Sequence, residues 1–433
     1  MEEEKERINR RESLKLIGAG VAGLAVGGVA GWQLAPPKIV EKVPTPEELE
    51  PIRVGAGIFL TGPYATEGEH MVNGTKMAAE EAAEWFMGGR KVEIHYADLG
   101  AVTPDEVKRA FEEFSVHKTH FNMTHWGSYG PGWDATLKTG IPLITGDTPL
   151  GFSDYIEAHP EIRMVDTYFP VGTKIYQTTY LDFLDWLQTE GLWKPRHTPP
   201  TMYIVHSDFV WEADYAKVLR SVAEPRGWKI VGMDMTPAGT VDYTAVLSKI
   251  RMADPDVITA TYIGPTDTTI FASQFTANPT KALLFDTVGY EVPESIEALP
   301  NPETQLGVVW WACGPTMIEG PRYDKFKEKY MTLYGKEPHY CSTHTYDSLN
   351  IGLKAIQFAG STDPEKVYDA LFEISHQGIE GRWVFDRELK MSYEYLCPNQ
   401  IRQVQIRDGK VTQYNPIYPP KTATRKFELP PWL

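Results

Sequence analysis

The chain has 433 residues, 42% of them apolar, and a formal net charge of −16. That length supplies two folded domains and a further segment. The acidic balance argues against nucleic acid or an anionic membrane surface as a partner, and three cysteines are too few for a disulfide-stapled scaffold.

Met1 to Asn9 is strongly charged, and Arg10-Arg11-Glu12-Ser13-Leu14-Lys15 then leads into Leu16–Ala35, which carries no charge. Paired arginines before a mildly apolar stretch form the pattern of a twin-arginine export signal. The stretch is about as long as a bilayer span, so residues 1–35 are expected to be either a cleaved signal or an N-terminal anchor. The basic flank keeps the N-terminus on the cytoplasmic side. Residues 36–51 are proline-rich and read as a linker.

The apolar run Ile52–Leu60 predicts a buried strand. It is followed by the turn Thr61-Gly62-Pro63-Tyr64 and then by helical spacing from Met71 to Ala83, with Thr66 and Glu69 as an expected capping box. A loop between a strand end and a helix start is where open α/β sheets take small ligands. The helix N-terminus favours anions such as carboxylates, and Tyr64 is placed to stack on a ligand. No G-x-G-x-x-G or Walker pattern occurs, so no nucleotide cofactor is expected.

Further strands are predicted at 92–97, 120–125 and 141–145, with a helix over 104–115. A second series follows: helices at 170–187, 211–223, 243–251 and 266–275 alternate with strands at 202–206, 228–233, 257–262 and 283–286. Alternation of this kind implies parallel sheets. The fold class expected is therefore α/β, two Rossmann-like lobes with parallel central sheets and a ligand cleft between them. After a strand at 306–312 come helices at 322–334, 343–358 and 363–373, the last capped by Ser361 or Thr362. Strands at 379–385 and 401–406 follow, with Asp408-Gly409 as a hairpin turn, and a proline-rich arm that reads as loosely packed closes the chain.

The wording of these segments is more specific than their pattern. IRVGAGIFLTGPYATEGEHMVNGTKMAAEE at the start, THWGSYGPGWDA at 124–135, GIPLITGDTP at 140–149, MYIVHSDFVWEADYAKVL, DYTAVLSKIRMADPDVI and GRWVFD together resemble the leucine/isoleucine/valine-binding family of type I periplasmic binding proteins. The resemblance covers residues 52–416. It implies a substrate receptor of a branched-chain amino acid-type ABC transporter, with permease subunits as partners and a location outside the cytoplasm. It also implies discontinuous lobes: 52–167 with 310–378, and 168–309 with 379–416, leaving 417–433 as the arm.

The resemblance assigns site residues one by one. Ser128 matches the loop serine that holds a ligand carboxylate, Asp147 and Thr148 fall in the second ligand loop, and Tyr64 lies in the first. From the other lobe, Trp211 falls near a helix start where the family has Tyr-Gly, and Tyr262 sits at a strand end. Where the family has a glutamate for the ligand ammonium this chain has Val288, with Asp286 and Glu291 as offset alternatives. That departure favours an acid lacking an α-amine, and Trp126, Tyr129, Trp133 and Trp211 suit a flat apolar body. Ser128 equally fits a helix cap, Asp147 a turn, and Trp133 the core.

His339, Cys341 and His344 are close in sequence, but no second pair of ligands accompanies them, so no metal is expected. No G-x-S-x-G elbow or H-E-x-x-H helix is present, which argues against an enzyme. The alternative to transport is a ligand sensor working with a signalling receptor.

Overall fold

The apolar run at the start of the folded part forms strand β1, Ile52–Ile58, in which every side chain but that of Arg53 is fully buried. Such continuity, rather than alternation, marks a strand covered on both faces. The computed structural model describes residues 49–433 except 63, 148, 169–170, 263, 292–293, 313–319 and 393–399. The expected export signal, nearly all of the linker, and Thr148 lie outside the described residues. Pro46–Leu433 forms one compact unit.

Around β1 the first sheet adds β2 (Val92–Asp98), β3 (Phe121–Thr124), β4 (Leu143–Thr145) and β5 (Met164–Asp166), in the order β2-β1-β3-β4-β5 and all parallel. The second sheet has β6 (Thr201–Ser207), β7 (Lys229–Thr236), β8 (Val257–Thr261), β9 (Leu283–Asp286) and β10 (Val309–Ala312), parallel in the order β7-β6-β8-β9-β10. A short pair, β11 (His376–Gln377) and β12 (Arg382–Trp383), lies apart from both. The second sheet then continues antiparallel through β13 (Gln400–Gln403) and, beyond the hairpin β14 (Gln405–Arg407) and β15 (Lys410–Thr412), through β16 (Pro416–Tyr418).

This register moves two of the expected lobe boundaries. Val309–Ala312 pairs with β9 and β13, so it belongs to the second lobe rather than opening the return to the first at 310. Residues 379–392 stay with the first lobe: Met391 bridges Asp166, and Lys390 donates to the Pro160 and Ile162 carbonyls at 2.6 Å. The crossing to the second lobe therefore follows Ser392 instead of beginning at 379. The helix Tyr340–Ala359 covers the first sheet and packs along Ala65–Trp85. A Cβ on Gly74 would stand 2.1 Å from the Ser342 carbonyl oxygen, so only glycine permits this approach. Thr345 closes the contact by donating to the Met71 carbonyl at 3.0 Å.

Local signals were partly misplaced. Thr66 and Glu69 lie inside the helix Ala65–Trp85, whose N-cap is Tyr64 with no side-chain cap. A Thr–Glu pair at the same spacing stands one helix later, where the Glu106 carboxylate accepts from the Thr103 amide at 3.1 Å and from its hydroxyl at 2.6 Å. The helix Pro364–Glu373 is capped by Asp363, not Ser361 or Thr362; its carboxylate accepts from the amides of Glu365 and Lys366. The expected strand 379–385 is reduced to Arg382–Trp383. The C-terminal arm is pinned rather than loose: Gln403 and Gln405 donate to the Glu428 and Lys426 carbonyls at 2.7 Å, and Trp432 donates to that of Ala282.

Candidate ligand-binding site

The strand β3 ends in the loop His125–Tyr129, and β4 ends in Gly146-Asp147, both at the carboxyl edge of the first sheet. Across from them the helix Val210–Ala223 of the second lobe begins at Phe209 and Trp211. Together these elements enclose a chamber of about 50 Å3 lined by His125, Trp126, Tyr129, Gly146, Asp147, Pro149, Tyr168, Phe209, Trp211, Val288 and Tyr340. Within the first lobe Trp126 lies edge-on to Tyr64 at 4.9 Å, and across the cleft it lies 6.1 Å from Phe209. An apolar cavity of roughly 150 Å3 holds benzene, so an aromatic solute enters this chamber only with displacement of side chains or lobes.

Beside the chamber is a larger vestibule of about 770 Å3, whose lining includes Tyr64, Glu67, Phe209, Glu212 and Asp267. Burial, then the charges of Glu212, Glu67, Asp267 and Asp208, push the Tyr64 phenol up. Val288 does line the chamber, and the carboxyl groups of Glu67, Glu212 and Asp267 line the vestibule beside it.

Asp147 organises the loops of the first lobe. Its carboxylate accepts from the Gly127 amide at 2.5 Å, the Ser128 amide at 2.9 Å, the Ser128 hydroxyl and the Trp133 indole at 3.3 Å. Gly127 takes φ +94 to aim its amide this way, a conformation that favours glycine. Burial holds the Asp147 carboxyl above its ordinary value, although hydrogen bonds from Ser128, Gly127, Thr145 and Trp133 pull it partway back. Ser128 does not cap the following helix, whose N-cap is Gly130.

The floor of the chamber comes from the far end of the sequence. The His125 ring is fully buried and stands 4.8 Å from Tyr340, 5.5 Å from Tyr168 and 4.4 Å from His344. Neither of its ring nitrogens has a hydrogen-bond partner among the described residues, and the same holds for the Trp126 indole nitrogen. Burial, followed by the charges of His344 and His339, holds His125 well below the usual histidine value. His344 is fixed by Thr167 at 2.8 Å and Glu380 at 3.1 Å. Asp347 in turn anchors the segment carrying Glu380, accepting from the Ile379 amide at 2.9 Å, the Glu380 amide at 3.0 Å and the Trp383 indole at 3.1 Å.

Of the residues expected at a site, Trp126, Tyr129, Asp147 and Trp211 line the chamber and Tyr64 lines the vestibule. Ser128 lies behind Asp147, bonded to it. Tyr262 is buried with its hydroxyl on Thr236 at 3.0 Å, and Asp286 is buried accepting from the Gly289 amide at 3.2 Å; neither lines chamber or vestibule. His125, Tyr168, Phe209 and Tyr340 were not anticipated. His125 adjoins Trp126 in the loop already singled out, whereas Tyr340 is brought in from a distant helix and carries no local signal. Among the described residues no group of three or more His, Cys, Asp or Glu is placed to hold a metal, and Cys341 is free and buried.

Solved structures with this fold come from several bacteria. A proposed branched-chain amino acid ABC transporter protein of Silicibacter pomeroyi superposes with a TM-score of 0.77 at 20% identity, over 89% of this chain and 100% of the other. The solute binding protein of an ABC transporter from Rhodopseudomonas palustris, in complex with 3,4-dihydroxybenzoic acid, gives 0.68 at 18% identity over 84% and 95%. A leucine binding protein from Thermotoga maritima gives 0.68 at 18% identity over 86% and 99%. The periplasmic binding protein model matches residues 51–395, most of the sequence, and the chain belongs to that family.

Proposed function

We propose that this protein is the extracytoplasmic solute receptor of an ABC transporter. It captures a small organic solute of the amino-acid or aromatic-acid class between its lobes and delivers it to permease subunits. The observation that carries the reading is a chamber walled by aromatic side chains from both lobes, Trp126 and Tyr129 facing Phe209 and Trp211. Contacts from both lobes are complete only when the lobes close, so the solute selects the closed state. The small volume of the chamber supports such a motion. The buried nitrogens of His125 and Trp126 supply polar partners on otherwise apolar walls. The segment 1–35 exports the chain by the twin-arginine route, as a cleaved signal or a retained anchor. Binding rather than turnover is its role.

The test is a thermal-shift panel on the full chain with leucine, isoleucine, phenylalanine, benzoate, hydroxybenzoates and short-chain acids. A compound at a hundred times its Kd stabilises by about 2.7 kcal/mol, and recovery of that compound chemically unchanged is expected. Turnover of a bound compound, or no shift with any of them, opposes the reading.

A further inference from the structure

We infer that Asp147 is a specificity-determining residue: its carboxyl group occupies the donor-lined loop of the first lobe, so the solute presents no anionic group to that wall. The inference deepens the proposed function and rests on that reading for the word solute. Two successive amides, Gly127 and Ser128, the Ser128 hydroxyl and the Trp133 indole converge on the two oxygens of one buried side chain. All four are donors, and such a convergent set matches a carboxylate. Ser128 has no second task there beyond a 3.2 Å contact of its hydroxyl with that of Thr145, itself paired with Thr124 at 3.0 Å.

Asp147 also lines the chamber, so the occupied loop is part of the ligand wall rather than remote from it. A solute carboxylate cannot share these donors without displacing Asp147, because each is already spent on its two oxygens. An acid group on the solute has to be met elsewhere in the cleft. One residue of the loop thereby separates this chain from a receptor that grips a carboxylate with the same amides and hydroxyl.

The experiment empties the loop. Asp147→Ala in the full chain exposes the Gly127 and Ser128 donors, and formate and acetate are the probes. The melting temperature of Asp147→Ala is expected to rise with formate, by about 5 °C at a hundred times its Kd, relative to equal chloride. Wild type is expected to show no formate-specific rise, and Asp147→Ala/Ser128→Ala, which keeps the two amides and the Trp133 indole but loses the hydroxyl, a smaller rise than Asp147→Ala. Should Asp147→Ala not be recovered folded, refolding in formate against chloride decides: recovery only with formate supports the inference. A formate response equal to that with chloride, equal failure to refold in both, or the same formate response in wild type overturns it. These anions are not the transported solute, so the result stands whatever the ligand panel finds, and a failed panel leaves it standing.

Discussion

Replacing Asp347 with alanine tests how the far end of the chain supports the chamber. The wild-type carboxylate is the acceptor for the Ile379 and Glu380 amides and the Trp383 indole, and His376 stands 3.4 Å away. Alanine leaves two buried donors and one half-buried donor without an acceptor. A buried donor left unpaired costs about 1–3 kcal/mol; with some relaxation of the loop the total is about 3–6 kcal/mol. At roughly 2 °C per kcal/mol, the melting temperature falls by about 6–12 °C. Burial alone would raise the Asp347 carboxyl, but the hydrogen bond and charge of His376 and the amides of Glu380 and Ile379 hold it below the usual value. A depressed carboxyl stabilises the fold above its unfolded value of about 3.9 and loses that contribution as the pH falls through the folded value. The gap between variant and wild type, read by thermal melts from pH 7 to pH 3, therefore narrows below about pH 4. Because Glu380 positions His344 beneath His125, the variant also weakens capture of any compound found in the panel. A loss under 1 kcal/mol, or a gap constant with pH, would refute the reasoning.

Gly74→Ala drives a methyl against the Ser342 carbonyl and is expected to cost about 1–3 kcal/mol in urea melts; a neutral result would mean the two helices do not pack so closely. Asp363→Ala removes the cap of Pro364–Glu373 and is expected to cost about 1 kcal/mol, with Ser361→Ala costing less. Burial holds His125 neutral in the fold, among Tyr168, Tyr340 and His344, while the unfolded chain takes up a proton near pH 6.5. Stability therefore falls as the pH drops below about 6.5, and His125→Phe should flatten that slope in thermal melts from pH 8 to pH 5.

Much of the fold was legible because its signals are local. Apolar runs such as Ile52–Ile58 and Val257–Thr261 name their strands, and Asp408-Gly409 forms the expected hairpin turn with positive φ at both residues. Boundaries failed where pairing partners decide: Trp310-Trp311 reads only as an apolar strand, and its place in the second sheet depends on Phe285, Asp286 and Gln400–Gln403. The cap at Asp363 was missed because Ser, Thr and Asp stand in a row and only geometry chooses among them. Within the site, Trp126, Tyr129 and Trp211 were visible as aromatics beside predicted loops. The Asp147–Ser128 bond was not, since spacing along the chain does not say whether two loop residues face a ligand or each other. Tyr340 reaches the chamber, and His344 the ring of His125 beneath it, through the packing of Tyr340–Ala359 on the first sheet, which no local pattern encodes.

In the proposed receptor a solute is held between the lobes by side chains from both. The most direct measurement is isothermal titration of a compound from the panel into wild type, Trp126→Ala and Trp211→Ala, one variant from each lobe. Both variants are expected to lose at least about tenfold in affinity, near 1.4 kcal/mol, with their folds intact by circular dichroism. Unchanged affinity in either variant would place the solute outside the chamber and contradict the account.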